Sequence, residues 1–265
     1  MYKAYDLINL SFENEGKRLL QAGQKRYDNN KTQIKDTIES FILYNGHLDG
    51  TTMQENWFPQ IDADIFISHS HNDEKLAIAF SQWLYEQFNL NAFVDSCIWG
   101  NSNELLKKID NEYCLNSNGE TYNYNKRNYS TSHIHMMLST ALSMMIDKTE
   151  CVIFLNTPNS VKLNGVFEIT ESPWIYSEIV ITKLIREQTR EKHRGEPEPM
   201  FESERKYFST KPELKIEYAL SKEHLTRLTC KNLKEWVKQN SYKYPLDNLY
   251  KITSNINPII TDYGR

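Results

Sequence analysis

The sequence predicts an α/β domain built on a parallel sheet flanked by helices, preceded by a helical N-terminal extension. Two observations carry that prediction. Short apolar runs at Ile65 to Ile67, Ala92 to Val94 and Cys151 to Leu155 alternate with stretches of helical periodicity, a succession that demands a parallel sheet with helices on both faces. Each run also stops at polar residues, so the ends of successive strands present a set of chemically useful side chains.

Residues 1–58 carry no strand signal. Ile8, Leu19 and Leu20, then Ile34, Ile38, Phe41 and Ile42, recur at helical spacing on either side of the polar break Asp28-Asn29-Asn30, which predicts a helical hairpin or a pair of helices. Asn45-Gly46 and Asp49-Gly50 close it and Pro59 precedes the first strand, so the units divide into 1–58 and 59–265. After the strand at Ile65 to Ile67, Leu76, Phe80, Trp83, Leu84 and Phe88 share one face of a helix. Residues 96–129 are polar and rich in Asn and Tyr, with one short helix at Glu104 to Ile109; that length predicts a functional or mobile loop.

A helix over Ser132 to Ile146 leads into the strongest strand, Cys151 to Leu155. The next helix is predicted from Pro173 to about Glu191, with Ser172 as N-cap and proline in the first helical position, ended by the charged stretch through Gly195, Pro197 and Pro199. Leu214, Ile216, Tyr218 and Leu220 alternate as a fourth strand. Leu225, Leu228, Leu233, Trp236 and Val237 predict a further helix, and Pro258-Ile259-Ile260 a last strand or terminal arm. Spacing does not fix strand order.

Composition narrows the function classes. The chain has 265 residues, 39% hydrophobic and 25% charged, as a globular protein does. A net charge of −4 without a basic block interleaved with aromatics argues against nucleic acid as a partner. The N-terminal residues carry charges where a signal peptide is apolar, and no segment approaches the roughly 20 apolar residues of a membrane span, so the expectation is a cytoplasmic protein with no membrane partner. Cys97, Cys114, Cys151 and Cys230 lack paired spacing, so neither disulfides nor zinc are expected. His133 and His135, two apart, diverge on a helix, and no metal is expected there either.

In open parallel sheets ligands bind beyond the carboxyl ends of the strands. Ser68-His69-Ser70, Asp95 to Gly100 and Asn156-Thr157-Pro158 occupy those ends, with the helix start at Ser172-Pro173-Trp174 beside them. No Gly-x-Gly-x-x-Gly or Walker loop is present, which argues against a dehydrogenase or NTPase. Trp174 and Glu178, four apart, stack on one helical face. Spacing alone favours a solvent-facing glutamate.

The segment Asp64 to Ser70 with Asp73, the pair Val94-Asp95, and Ser172-Pro173-Trp174 followed by Glu178 together resemble the TIR (Toll/interleukin-1 receptor) domain, in its NAD-consuming branch. The resemblance covers about residues 62 to 240. It implies a flavodoxin-like fold in which Glu178, matching the family's Ser-x-Trp-x-x-x-Glu arrangement, is catalytic. It further implies that Ser68, His69, Ser70, Asp95, Trp99 and Trp174 contact substrate, with Trp99 in the segment corresponding to the BB loop. For Trp99 the plainer alternative is a hydrophobic plug, and for His69 a partly exposed loop histidine.

NAD would be the substrate, with no further cofactor. Self-association through TIR surfaces or the N-terminal helices, and a separate effector sensing the product, are implied by likeness to bacterial antiphage, Thoeris-like proteins. The 96–129 loop and the segment after Glu191 are longer than the family pattern, which leaves product and assembly open. Two alternatives remain: a TIR module that only assembles, and a nucleoside deoxyribosyltransferase-like enzyme.

The chemistry accounts for a single carboxylate. Nicotinamide leaves NAD as a neutral molecule, so no general acid is required, and the barrier lies in an oxocarbenium-like ribose. A carboxylate beside the ribose stabilises charge that grows in the transition state. Water as acceptor gives ADP-ribose, a group within the nucleotide a cyclic product, another molecule a conjugate.

Overall fold

The computed structural model describes residues 1–12, 14–30, 38–99, 101–164, 167–185, 187–193, 218–239 and 241–256. Ile34, Gly100, Gly195, Pro197, Pro199, Leu214, Ile216 and Pro258 to Ile260, singled out by the sequence pattern, lie outside these residues.

The chain opens with strand β1 (Lys3–Ile8) and helix α1 (Gly16–Asn30), then α2 (Gly50–Trp57), capped by Asp49, whose carboxylate accepts from the amides of Thr51 and Thr52. Strand β2 (Ile65–Ser68), α3 (Glu74–Phe88) and β3 (Ala92–Phe93) follow. Helices α4 (Asp95–Ile98), α5 (Ser102–Ile109) and α6 (Tyr124–Lys148) lead to β4 (Cys151–Asn156). The second half holds β5 (Lys162–Asn164), β6 (Phe167–Thr170), α7 (Pro173–Leu184), α8 (Arg190–His193), β7 (Tyr218–Ala219), β8 (Thr226–Thr229), α9 (Cys230–Lys238) and α10 (Pro245–Thr253).

Five strands form one parallel sheet in the order β3-β2-β4-β1-β8. The period-2 alternation of a strand sorts its side chains between two layers. Tyr5, Leu7, Ile65, Ile67, Ile153 and Leu155 face one way and pack with Ile78 and Phe80 of α3 and Trp236 of α9. Ala4, Phe66, Phe93 and Val152 face the other way, onto Met53 and Trp57 of α2, Leu105 of α5 and Ile134 to Ile146 of α6. Phe154, on that second face, packs with Ile175 and Ile179 of α7 and with Leu220. With both faces covered, β2 and β4 are apolar up to their last residues, Ser68 and Asn156, as inner parallel strands are. Within this order β3-β2-β4 has the flavodoxin-like 2-1-3 arrangement, with its switch point between β2 and β4, while β1, first in the chain, takes the fourth place instead of the first.

Several expectations are corrected. Residues 1–58 do not form a helical unit apart from the sheet: β1 lies inside it, paired with β4 and β8, and α1 packs closely on α3. Gly23 permits that approach, since a Cβ there would meet the Ile78 side chain and carbonyl at 2.8 Å. Residues 96–129 are not one long loop but hold α4, α5, a π-helical turn at Asp110–Cys114 and the start of α6. Leu225 and Leu228 belong to β8 and its approach, not to a helix, which starts at Cys230. The helix from Pro173 ends at Leu184 instead of near Glu191. Tyr218 does fall in a strand, but β7 joins an antiparallel sheet, β5-β6-β7, separate from the parallel one. No helix among the described residues is long and apolar enough to cross a membrane.

Candidate active site

Ser68 closes β2 at the switch point, and its backbone partner in β4 is Phe154. Both side chains stand on the face that α7 covers. That helix starts as the sequence predicts: Ser172 Oγ accepts from the Ile175 amide at 3.3 Å and Pro173 occupies the first turn. Glu178, one turn further in, is thereby brought over the end of β2, where Ser68 Oγ donates a hydrogen bond to Glu178 Oε2.

Glu178 is therefore not the solvent-facing residue that its spacing favours. It is 5% exposed. Burial raises its pKa well above the ordinary glutamate value, repulsion from Asp95 raises it further, and the Ser68 hydrogen bond partly opposes both. Asp95 opens α4 directly after β3 and keeps its carboxylate partly in solvent. The His69 side chain is only 3% exposed, with Nε2 3.8 Å from Asp95 Oδ1. Its Nδ1–H donates a hydrogen bond to the Ile67 carbonyl at 3.2 Å, which leaves Nε2 facing Asp95. Ser68, His69, Asp95 and Glu178 thus form one cluster built from three elements.

The remaining sequence candidates have other places. Ser70 caps the turn at His71–Asp73 through its backbone, its carbonyl accepting from the Asp73 amide at 2.7 Å, and His71 is exposed. Trp174 is partly buried against the second core face, edge-on to His135 of α6 with ring centroids 5.8 Å apart. Trp99 takes the plug arrangement: it is buried against Phe58 and Phe93, and its Nε1 donates to the Pro59 carbonyl at 3.0 Å. His133 stacks edge-on against Tyr129 while His135 meets Trp174, so the two diverge as helical spacing requires. Cys97, Cys114 and Cys151 are buried free thiols and Cys230 is partly buried.

Asp73, Thr157 and Asn159 form a second polar group at these strand ends, one that the strand-end argument did not single out by role. Asp73 accepts from Thr157 Oγ1 at 2.5 Å and from Asn159 Nδ2 at 2.7 Å, which ties the loop after β2 to the loop after β4. The sequence places Asp73 just beyond the Asp64 to Ser70 segment, while its partner Thr157 is 84 residues away. Beside this pair, Ser160 Oγ donates to the Leu155 carbonyl at 2.8 Å and holds the second loop down.

A protonatable carboxyl group, dry and held by a hydroxyl donor, with a second carboxylate and an imidazole adjoining, suits a reaction in which positive charge develops next to it. A cationic ligand at that point favours the ionised form of Glu178, because an opposite charge reverses what burial imposes. Compared with family models, curated proteins and solved structures, the chain has no match.

Proposed function

We propose that the protein cleaves the bond between nicotinamide and ribose in NAD, as a TIR-type NAD-consuming enzyme with Glu178 as its catalytic carboxylate. The observation that carries this reading is the hydrogen bond from Ser68 to a buried Glu178 at the switch point of the sheet. In the free site the carboxyl group favours its proton. The cationic nicotinamide ribosyl group, set beside this buried group, draws out the carboxylate and releases that proton to solvent. The C1′–N bond then breaks with its electron pair passing to the nicotinamide nitrogen, and nicotinamide departs neutral. The ribosyl cation left behind lies against the Glu178 carboxylate, which stabilises it until an acceptor adds.

With water as acceptor the products are ADP-ribose, nicotinamide and one proton. A cyclic or conjugated ADP-ribose, a separate effector that reads it, self-association of the chain and a part in bacterial antiphage immunity belong to the same proposal. All of these rest on the TIR resemblance. Incubation of the purified protein with NAD, followed by mass spectrometry of the products, tests the reading. Nicotinamide together with any ADP-ribose species supports it; intact NAD with assembled protein would favour a module that only associates, and cleavage of free deoxynucleosides a transferase.

A further inference from the structure

Asp6 of β1 is the backbone partner of Phe154, as Ser68 is on the opposite side, so Ser68, Phe154 and Asp6 form a row across three strands. Strands lie about 4.8 Å apart, which puts the two polar ends of this row roughly 10 Å from each other. Ser68 holds Glu178. Asp6, fully buried, holds Lys222.

The Lys222 side chain is 2% exposed, and its ammonium lies 3.3 Å from Asp6 Oδ2 and 2.9 Å from Glu168 Oε2 of β6, over the Phe154 ring at 5.7 Å. Asn156 Nδ2 also donates to Asp6 at 3.2 Å. The residues around Lys222 grip α7 along its length: Leu220 packs on Ile175 and Ile179, Ser221 accepts from Lys183 Nζ at 2.8 Å, and His224 Nε2 meets Thr182 Oγ1 at 2.9 Å. Glu168 lies in the strand that runs through Thr170 to the Ser172 cap, where the Ser172 amide donates to Thr170 Oγ1 at 3.2 Å.

We propose that Lys222 is a positioning residue for Glu178: by bonding β1 and β6 at once, its ammonium fixes where α7 lies on the sheet and so keeps the carboxyl group against Ser68. The catalytic consequence rests on the NAD reading; the mechanical part stands apart from it. A buried ion pair is weak evidence for net stability, because desolvation offsets attraction, but it fixes geometry where its partners come from different elements. Here the partners come from the parallel sheet and the antiparallel sheet, and the helix that follows β6 carries Glu178.

The test uses the full chain with Glu168→Gln and Lys222→Met, read by amide hydrogen exchange and by carbon NMR titration of the Glu178 carboxyl group, both without NAD, and then by turnover. Glu168→Gln takes only the charge from the β6 end of the link, at a side chain one-third exposed, which turns the ion pair there into a weaker neutral hydrogen bond, and it carries the test if Lys222→Met fails to fold. The expected result is exchange at α7 amides at least tenfold faster with β4 amides within twofold of wild type, a shifted Glu178 titration, and kcat lowered at least fivefold with KM within twofold. Equal acceleration of α7 and β4, or no change at α7 and in the titration, overturns the proposal. Because exchange and titration need no substrate, a wild-type protein that leaves NAD intact defeats the NAD reading alone.

Discussion

Ser68 and Glu178, 110 residues apart in the chain, share a buried hydrogen bond in which the serine hydroxyl donates to the carboxyl group. The bond joins the end of an inner strand to the first half of α7, at the switch point between β2 and β4. Glu178 is an acid whose charged form the fold opposes, since burial and Asp95 together outweigh the serine. A residue held in that state lowers stability at neutral pH, which functional sites tolerate and cores rarely do.

Replacing Glu178 by Gln is therefore expected to stabilise the protein. The folded pKa lies above the unfolded value near 4.5, so the folded state binds this proton more tightly. Stability from that proton is complete below the unfolded pKa and is lost as pH rises through the folded pKa. Glu178→Gln removes the loss: its Tm should exceed wild type, with the gap widening as the pH rises above the unfolded value near 4.5. A gap that stays constant or narrows over that range would show that Glu178 is not the titrating group.

Ser68→Ala should act on the same equilibrium from the other side. It deletes the contact that lowers the Glu178 pKa, so the acid limb of the kcat/KM profile moves to higher pH. A hydrogen bond to a charged group contributes roughly 1.5–3 kcal/mol, so turnover near neutral pH should fall by roughly ten- to a hundredfold. An acid limb unmoved from wild type would mean that the serine does not touch the reacting carboxylate.

Gly23→Ala should destabilise despite placing a better helix former inside α1. The added Cβ meets the Ile78 carbonyl at 2.8 Å, and backbone cannot yield as a side-chain tip can. Overpacking of this kind costs about 1–3 kcal/mol, against a gain of about 1 kcal/mol in helix propensity. The urea midpoint should drop; a raised midpoint would mean that α1 does not lie tightly on α3.

Trp99→Phe should separate a structural role from substrate contact. The ring remains between Phe58 and Phe93, but the Pro59 carbonyl loses its donor, a loss of about 1–3 kcal/mol. KM for NAD should stay within twofold of wild type. A tenfold rise in KM with little change in stability would return Trp99 to the substrate.

What was legible in the sequence follows from how each element is stabilised. Strands β2 and β4 read clearly because inner parallel strands are buried on both faces and need unbroken apolar runs. Strand β1 is equally internal, yet Asp6 interrupts its pattern, and the lysine that neutralises it is 216 residues away. Strand β8 hid because Leu225 and Leu228 are three apart, a helical spacing, although Thr226 and Thr229 bracket Leu228 with β-branched residues. The cap at Ser172 and the placement of Glu178 one turn beyond it are local and were readable. That Glu178 is buried on Ser68 depends on tertiary packing, which spacing does not encode.

The most direct test of the central claim is a paired assay of wild type and Glu178→Gln with NAD, over a series of protein concentrations, with nicotinamide and the ADP-ribose product measured by mass spectrometry. Wild type should release nicotinamide and the variant, folded and at least as stable, should release at least a thousandfold less, the ~4 kcal/mol of transition-state stabilisation that an electrostatic catalytic group supplies. Equal release by the two proteins, or none above background from wild type at any concentration, would contradict the assignment of Glu178 as the catalytic carboxylate of an NAD-cleaving site.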